Sequence, residues 1–151
     1  MTSPGIPARS DHWLRAIGYG LLAEVSTVVT IIAVAMLYRY VFSRGLTSAE
    51  YNVFNASVGA VVGMVGGTLY TFLLAQRLMR YVSARFMAHG IVAALAAAAL
   101  SVGGSIVGHH GVPADYMLAS ALKIIAGALA GFLATRRGAP RAARGVTRRT
   151  N

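Results

Sequence analysis

Two charged residues, Glu24 and Lys123, stand inside runs that are otherwise apolar. A charge placed at the centre of a membrane costs about 2.5–3.5 kcal/mol on insertion scales, so such residues are functional candidates by default. Residues four apart stack on one helix face. Gly20 and Glu24 therefore share a face, with Thr27 close by, and Lys123 shares one with Gly127 and Gly131. Both charges should point at neighbouring helices. Counted at 1.5 Å per residue, each lies about a third of the way in from opposite sides, leaving roughly 10 Å between their depths. Long side chains and helix tilt can close that gap. One reading is a Glu24–Lys123 ion pair, or each charge satisfied separately by hydroxyls or carbonyls. Another has Lys123 snorkelling outward. The functional reading is a proton- or ion-coupled pathway with Glu24 as the carrier.

Other chemistry finds little material. The chain has 4 acidic residues and no cysteine. No nucleophile stands with a base and an orienting acid, and no paired carboxylates occur, so most hydrolytic mechanisms lack parts. His109, His110 and Asp115 fall together in one loop, but structural zinc takes four protein ligands and adjacent histidines rarely share a metal. No enzyme activity, cofactor or metal is expected. Asn52, Asn55, Ser57 and Ser120 form either a small wet vestibule with Lys123 or helix-to-helix hydrogen bonds, worth about 0.6 kcal/mol each.

The elements that must position these residues are membrane spans. Of 151 residues, 56% are hydrophobic and 12% charged, against about 25% charged in a typical soluble domain. So small a soluble domain could not bury that much apolar surface. Four segments approach the ~20 apolar residues that a spanning helix needs: residues 17–38, 53–75, 87–107 and 116–135. Ala33-Val34-Ala35 looks like a signal-peptide cleavage site, but the apolar run before it is too long and continues beyond it, so a retained span is expected.

Arginine placement predicts the topology. Arg9, Arg15, Arg77, Arg80, Arg85, Arg136, Arg137, Arg141, Arg144, Arg148 and Arg149 fall on one side, against Arg39 and Arg44 on the other. The first group should face the cytoplasm, with both termini. Arginine over lysine, with abundant Ala and Gly, suits a GC-rich bacterial genome, and hence an inner-membrane location. Trp13, Tyr19, Tyr38, Tyr40, Phe42, Tyr51, Tyr81, Phe86 and Tyr116 gather near the span ends, as an interfacial belt does, and His89 should lie at the cytoplasmic boundary. Residues 1–137 thus form a four-span domain. Residues 138–151 form a basic cytoplasmic tail without regular structure, able to bind anionic lipid headgroups. No specific nucleic-acid partner is required by the +10 charge.

The chain also repeats a plan. Arg15 and Gly20 open the first span as Arg85 and Gly90 open the third, and span two ends Phe72-Leu73-Leu74-Ala75-Gln76-Arg77 as span four ends Phe132-Leu133-Ala134-Thr135-Arg136. Two tandem hairpins, related as parallel repeats, are expected. Gly59, Gly63 and Gly67 recur every fourth residue on span two, as do Gly127 and Gly131 on span four. Small residues at this spacing let helices approach closely in lipid.

Gly66-Gly67, Arg77, His89-Gly90 and Ala126-Gly127 through Arg136-Arg137 give the chain a pattern that resembles a group of small, uncharacterised four-span bacterial membrane proteins with paired glycine-rich spans. That resemblance implies architecture rather than activity. Leu22-Ala23-Glu24-Val25 is similar to the span-one setting of the essential glutamate in the small multidrug resistance exporters, which are four-span dimers. The chain departs from that family in its longer first outer loop, in spans three and four, and in carrying Lys123.

The expected fold is all-α, an integral membrane four-helix protein packed through glycine faces and surrounded by the lipid bilayer. The leading expectation is an accessory or structural membrane protein with no chemistry of its own, whose small-residue faces leave room for a homo-oligomer. The alternative is a small dimeric transporter or ion pathway using Glu24 and Lys123.

Overall fold

A computed structural model describes residues 12–42, 45, 47–82, 84–108 and 114–146, the side chains of 138–146 excepted. All the described secondary structure is helical. Helix α1 spans Trp13–Leu37 and continues as a π-helical turn over Tyr38–Phe42. Helix α2 covers Ser48–Val61, a second π turn covers Val62–Gly66, and α3 covers Gly67–Leu78. Helix α4 runs over Phe86–Val107 and α5 over Ala114–Val146. The α2–π–α3 stretch acts as one membrane-length helix, so four helices are long and apolar enough to cross a bilayer. The chain is a multi-pass membrane protein in its architecture. Mean hydropathy in the most apolar part of each span lies between 1.8 and 2.1, while no more than 33% of that part is buried inside the bundle. Such a surface needs hydrocarbon, not water, around it.

The helices outrun the spans expected from hydropathy. A hydropathy window finds where the hydrocarbon is, whereas a helix continues into the interface until something stops it. The first span gains its flank from Trp13 and Arg15 at one end and the π turn at the other. The second starts at Ser48 because Thr47 and Glu50 form a reciprocal capping box there, satisfying otherwise orphaned N–H groups. Helix α5 continues to Val146, so residues 138–146, expected to lack regular structure, are helical, although Gly138, Pro140 and Gly145 among them disfavour a helix. The remaining tail residues, 147–151, lie outside the described residues. Between α3 and α4 the chain turns through Tyr81 and Arg85, the latter in the left-handed region at φ 55°. Backbone bonds from Arg80 to Arg77 and from Tyr81 to Leu78 tighten that turn.

Helices α1 and α5 occupy opposite corners of the bundle. Both α3 and α4 pack against each of them. The core is made mainly of small side chains: Ala16, Ala23, Ala75, Ala93, Ala94, Ala97, Ala126 and Ala130 are buried. Leu78, Met79 and Val82 fill the core near the arginine-rich end, where they cluster with Ala16 and Ala93. Dispersion and backbone proximity rather than water exclusion hold helices together in lipid, which is why small residues dominate the contacts.

Glycines give the closest approaches. A Cβ at Gly20 would collide with the Ala93 carbonyl, and one at Gly90 with the Gly127 carbonyl. At Gly127 it would meet Gly90, and at Gly131 it would lie 2.5 Å from the Met87 Cα. Gly59 and Gly63, expected to pack in the same way, have nothing within 4 Å of a Cβ. They belong to α2 and the following π turn, neither of which has a buried residue. Helix α2 stands away from the rest of the bundle and lies mainly against α1 and its own continuation.

Candidate functional site

The buried face of α1 comprises Ala16, Gly20, Ala23, Glu24 and Thr27. Its alanines and glycine allow α4 to come close, and Glu24 is carried into the centre with them. On α5 the neighbours of Lys123 along the helix are Ala126, Gly127, Ala130 and Gly131, equally small. The two charged side chains thus approach from opposite corners and meet: Lys123 Nζ lies 2.5 Å from Glu24 Oε2. Lys123 is 1% exposed and Glu24 6%. Of the arrangements open at the level of sequence, the structure displays the ion pair, not outward snorkelling.

Helices α3 and α4 also contribute to this contact. Gly67, at the start of α3, lies beneath the lysine stem: a Cβ there would come within 2.8 Å of Lys123 Cε and 3.5 Å of Thr27 Oγ1. Ser101 of α4 places its Oγ 3.4 Å from Nζ, where it accepts a second, longer hydrogen bond. Thr27 and Thr71 donate instead to the carbonyls of Ala23 and Gly67 one turn back, so their hydroxyls are satisfied locally. An additional inter-helix bond, 3.0 Å between Thr30 Oγ1 and Tyr70 Oη, ties α1 to α3. Ser101 was not among the residues singled out from sequence; a lone serine in an alanine-rich span carries no signal until its neighbour is known.

Above the pair lies a cavity of about 1060 Å³. Glu24 and Lys123 line its floor. Its walls include Val25, Val28 and Ile31 of α1, Gly59 of α2, Gly63 of the π turn, and Leu100, Ser101 and Gly104 of α4. Asn52, Asp115 and Tyr116 line it at the end of the bundle away from the arginine-rich turn. The walls are mainly apolar with isolated polar groups, the usual make-up of a small-molecule site. Asn52 and Asn55 join Lys123 here, as the vestibule reading expects, and Asn55 Oδ1 has no hydrogen-bond partner. Ser57 faces elsewhere and donates to the Val53 carbonyl. Ser120 Oγ is buried without a partner and does not line the cavity.

On the other side of the pair the bundle is sealed by the Gly20–Ala93 and Gly90–Gly127 contacts. His89 is buried there, its ring stacked on Trp13 with centroids 4.1 Å apart and its Nδ1 3.0 Å from the Arg85 carbonyl. His109 and His110 lie outside the described residues. Among the described residues no three His, Asp or Glu side chains gather as metal ligands do. Compared with family models, curated proteins and solved structures, the chain has no significant match.

Proposed function

We propose that this protein is a small membrane transporter or ion pathway, with the cavity as its binding site and the Glu24–Lys123 pair as its coupling element. The supporting observation is the position of the pair. A buried ion pair whose only role is structural gains nothing from lying at the floor of a cavity, and buried pairs are weak sources of stability in any case. Here the two charges come from opposite corners, so separating them alters the contact between all four helices at once. A cation entering the cavity competes with Lys123 for Glu24, and Ser101 offers the displaced ammonium an alternative acceptor.

The moving part in this reading is α2. Its contacts are few, and it joins the well-packed α3 through the π turn Val62–Gly66, a feature that recurs at functional sites. Swinging α2 toward α4 and α5 closes the cavity on its open side. The arginine bias supports a sealed end on the cytoplasmic side of a bacterial inner membrane, with both termini, and in this reading the cavity opens away from the cytoplasm. The chain itself carries out no covalent chemistry in this scheme.

The test is flux in liposomes. With a proton or sodium gradient imposed, the wild type should conduct and Glu24→Gln should not, while the variant still elutes as a folded species in detergent. A wild type that moves neither ion would remove the coupling role. Because the chain has no cysteine, single cysteines report on hydration. Asn55→Cys should react with a membrane-impermeant maleimide and Ala94→Cys should not; equal protection of both would show a dry cavity.

A second reading, an accessory protein, is favoured by one observation. Gly59, Gly63, Gly103 and Gly104 present small faces that none of the described residues covers. A second copy or another membrane protein seated there would fill the cavity and explain the loose α2. Crosslinking from Gly63→Cys to such a partner, together with an absence of flux, would support it.

A further inference from the structure

A second cavity, of about 630 Å³, lies at the arginine-rich end. Arg77 and Arg80 reach it from the end of α3 and the following turn, and Arg137 from α5. Below them the lining is apolar, through Leu73, Phe86 and Ala134. Leu73 is 52% exposed, so the apolar part of this lining continues onto the flank that meets hydrocarbon. Among the described residues the acidic groups are all elsewhere. Glu24 is held by Lys123, and Glu50 and Asp115 sit in the first turns of α2 and α5 at the opposite end. None of the three arginines has a carboxylate partner among the described residues.

Three guanidinium groups around one hollow, without a counter-charge, make a site for an anion. Its place at the end of the apolar spans, with an apolar floor open to the lipid side, adds a requirement for a hydrocarbon tail. We infer that this cavity binds the headgroup of an anionic phospholipid, with the phosphate between Arg77, Arg80 and Arg137 and an acyl chain along Leu73. This site is built into the bundle and is separate from the basic tail. It does not depend on whether the larger cavity carries a solute.

The full chain in detergent, titrated with phosphatidylglycerol and with phosphatidylcholine and followed by native mass spectrometry, tests the assignment. Phosphatidylglycerol should bind in preference. The triple change Arg77→Gln, Arg80→Gln, Arg137→Gln should weaken that binding roughly 100-fold, and Arg80→Gln alone roughly fivefold. The tail change Arg144→Gln, Arg148→Gln, Arg149→Gln should leave it unaltered. Should the triple variant fail to fold, the single one decides the matter, because unchanged affinity there overturns the site. Equal weakening by the pocket and tail variants would mean diffuse attraction instead. Displacement of the lipid by inorganic phosphate at the same concentration would mean a free-anion site, and equal binding of the two lipids would exclude a charge-reading site. Each of those three results overturns the assignment.

Discussion

Toward the arginine-rich end, Gly20, Gly90, Gly127 and Gly131 bring three helices into backbone contact. Toward the opposite end, Gly59, Gly63, Gly103 and Gly104 meet nothing within 4 Å. The residue type is the same, and Gly127 and Gly131 share the four-residue spacing of Gly59 and Gly63, yet one half is sealed and the other borders a cavity. Glycine in a span permits close approach without causing it. What differs is the neighbour. Where Ala93 or Gly127 stands opposite, two small surfaces meet over a whole turn. Where α2 stands away ahead of the π turn, no partner face among the described residues is within reach. The Glu24–Lys123 pair lies at the boundary between the halves, with a filled core on one side and the cavity on the other.

Breaking the boundary should have the largest effect. Glu24→Gln or Lys123→Met alone leaves an unpartnered buried charge and should lower stability by about 3–5 kcal/mol, read by denaturant titration in detergent. The exchange Glu24→Lys with Lys123→Glu should recover much of the loss. If the double variant is as unstable as the two singles added together, the residues are not coupled.

Overfilling the sealed half comes next. Gly90→Ala and Gly20→Ala push a methyl group against a carbonyl of the next helix and should each destabilise by about 1–3 kcal/mol. The same substitution in the open half should act with the opposite sign. Gly59→Ala and Gly63→Ala remove backbone freedom without a clash, and should stabilise by about 0.5–1 kcal/mol. Parallel melting curves for the four variants would sharpen the comparison, and a clear loss at Gly59 would show that α2 packs against something after all. The smallest effect belongs to the α1–α3 tie. A double-mutant cycle on Thr30→Val and Tyr70→Phe should give a coupling of about 0.6 kcal/mol.

Much of this architecture is legible in the sequence because it depends on local properties. Apolar runs of membrane length predict four helices whatever they pack against. Periodicity places Glu24 with Gly20 and Lys123 with Gly127, since helical stacking is a matter of spacing alone. The ends of the helices were less legible, because caps such as Thr47–Glu50 act outside the apolar window and helix α5 passes its hydrophobic limit and the stop signals Gly138 and Pro140. Ser101 shows a different difficulty. Its relevance exists only through Lys123, a residue 22 positions away in sequence.

Sequence alone therefore determined that the chain has four membrane-length helices and that two charges face inward, because hydrophobicity and helical phase are properties of single segments. Only the tertiary structure decided that those charges meet across the bundle, which glycines touch a neighbour, and that a cavity ends on the pair. Those outcomes depend on which faces come together, and helix approach in lipid is settled by the fit of both surfaces rather than by either one.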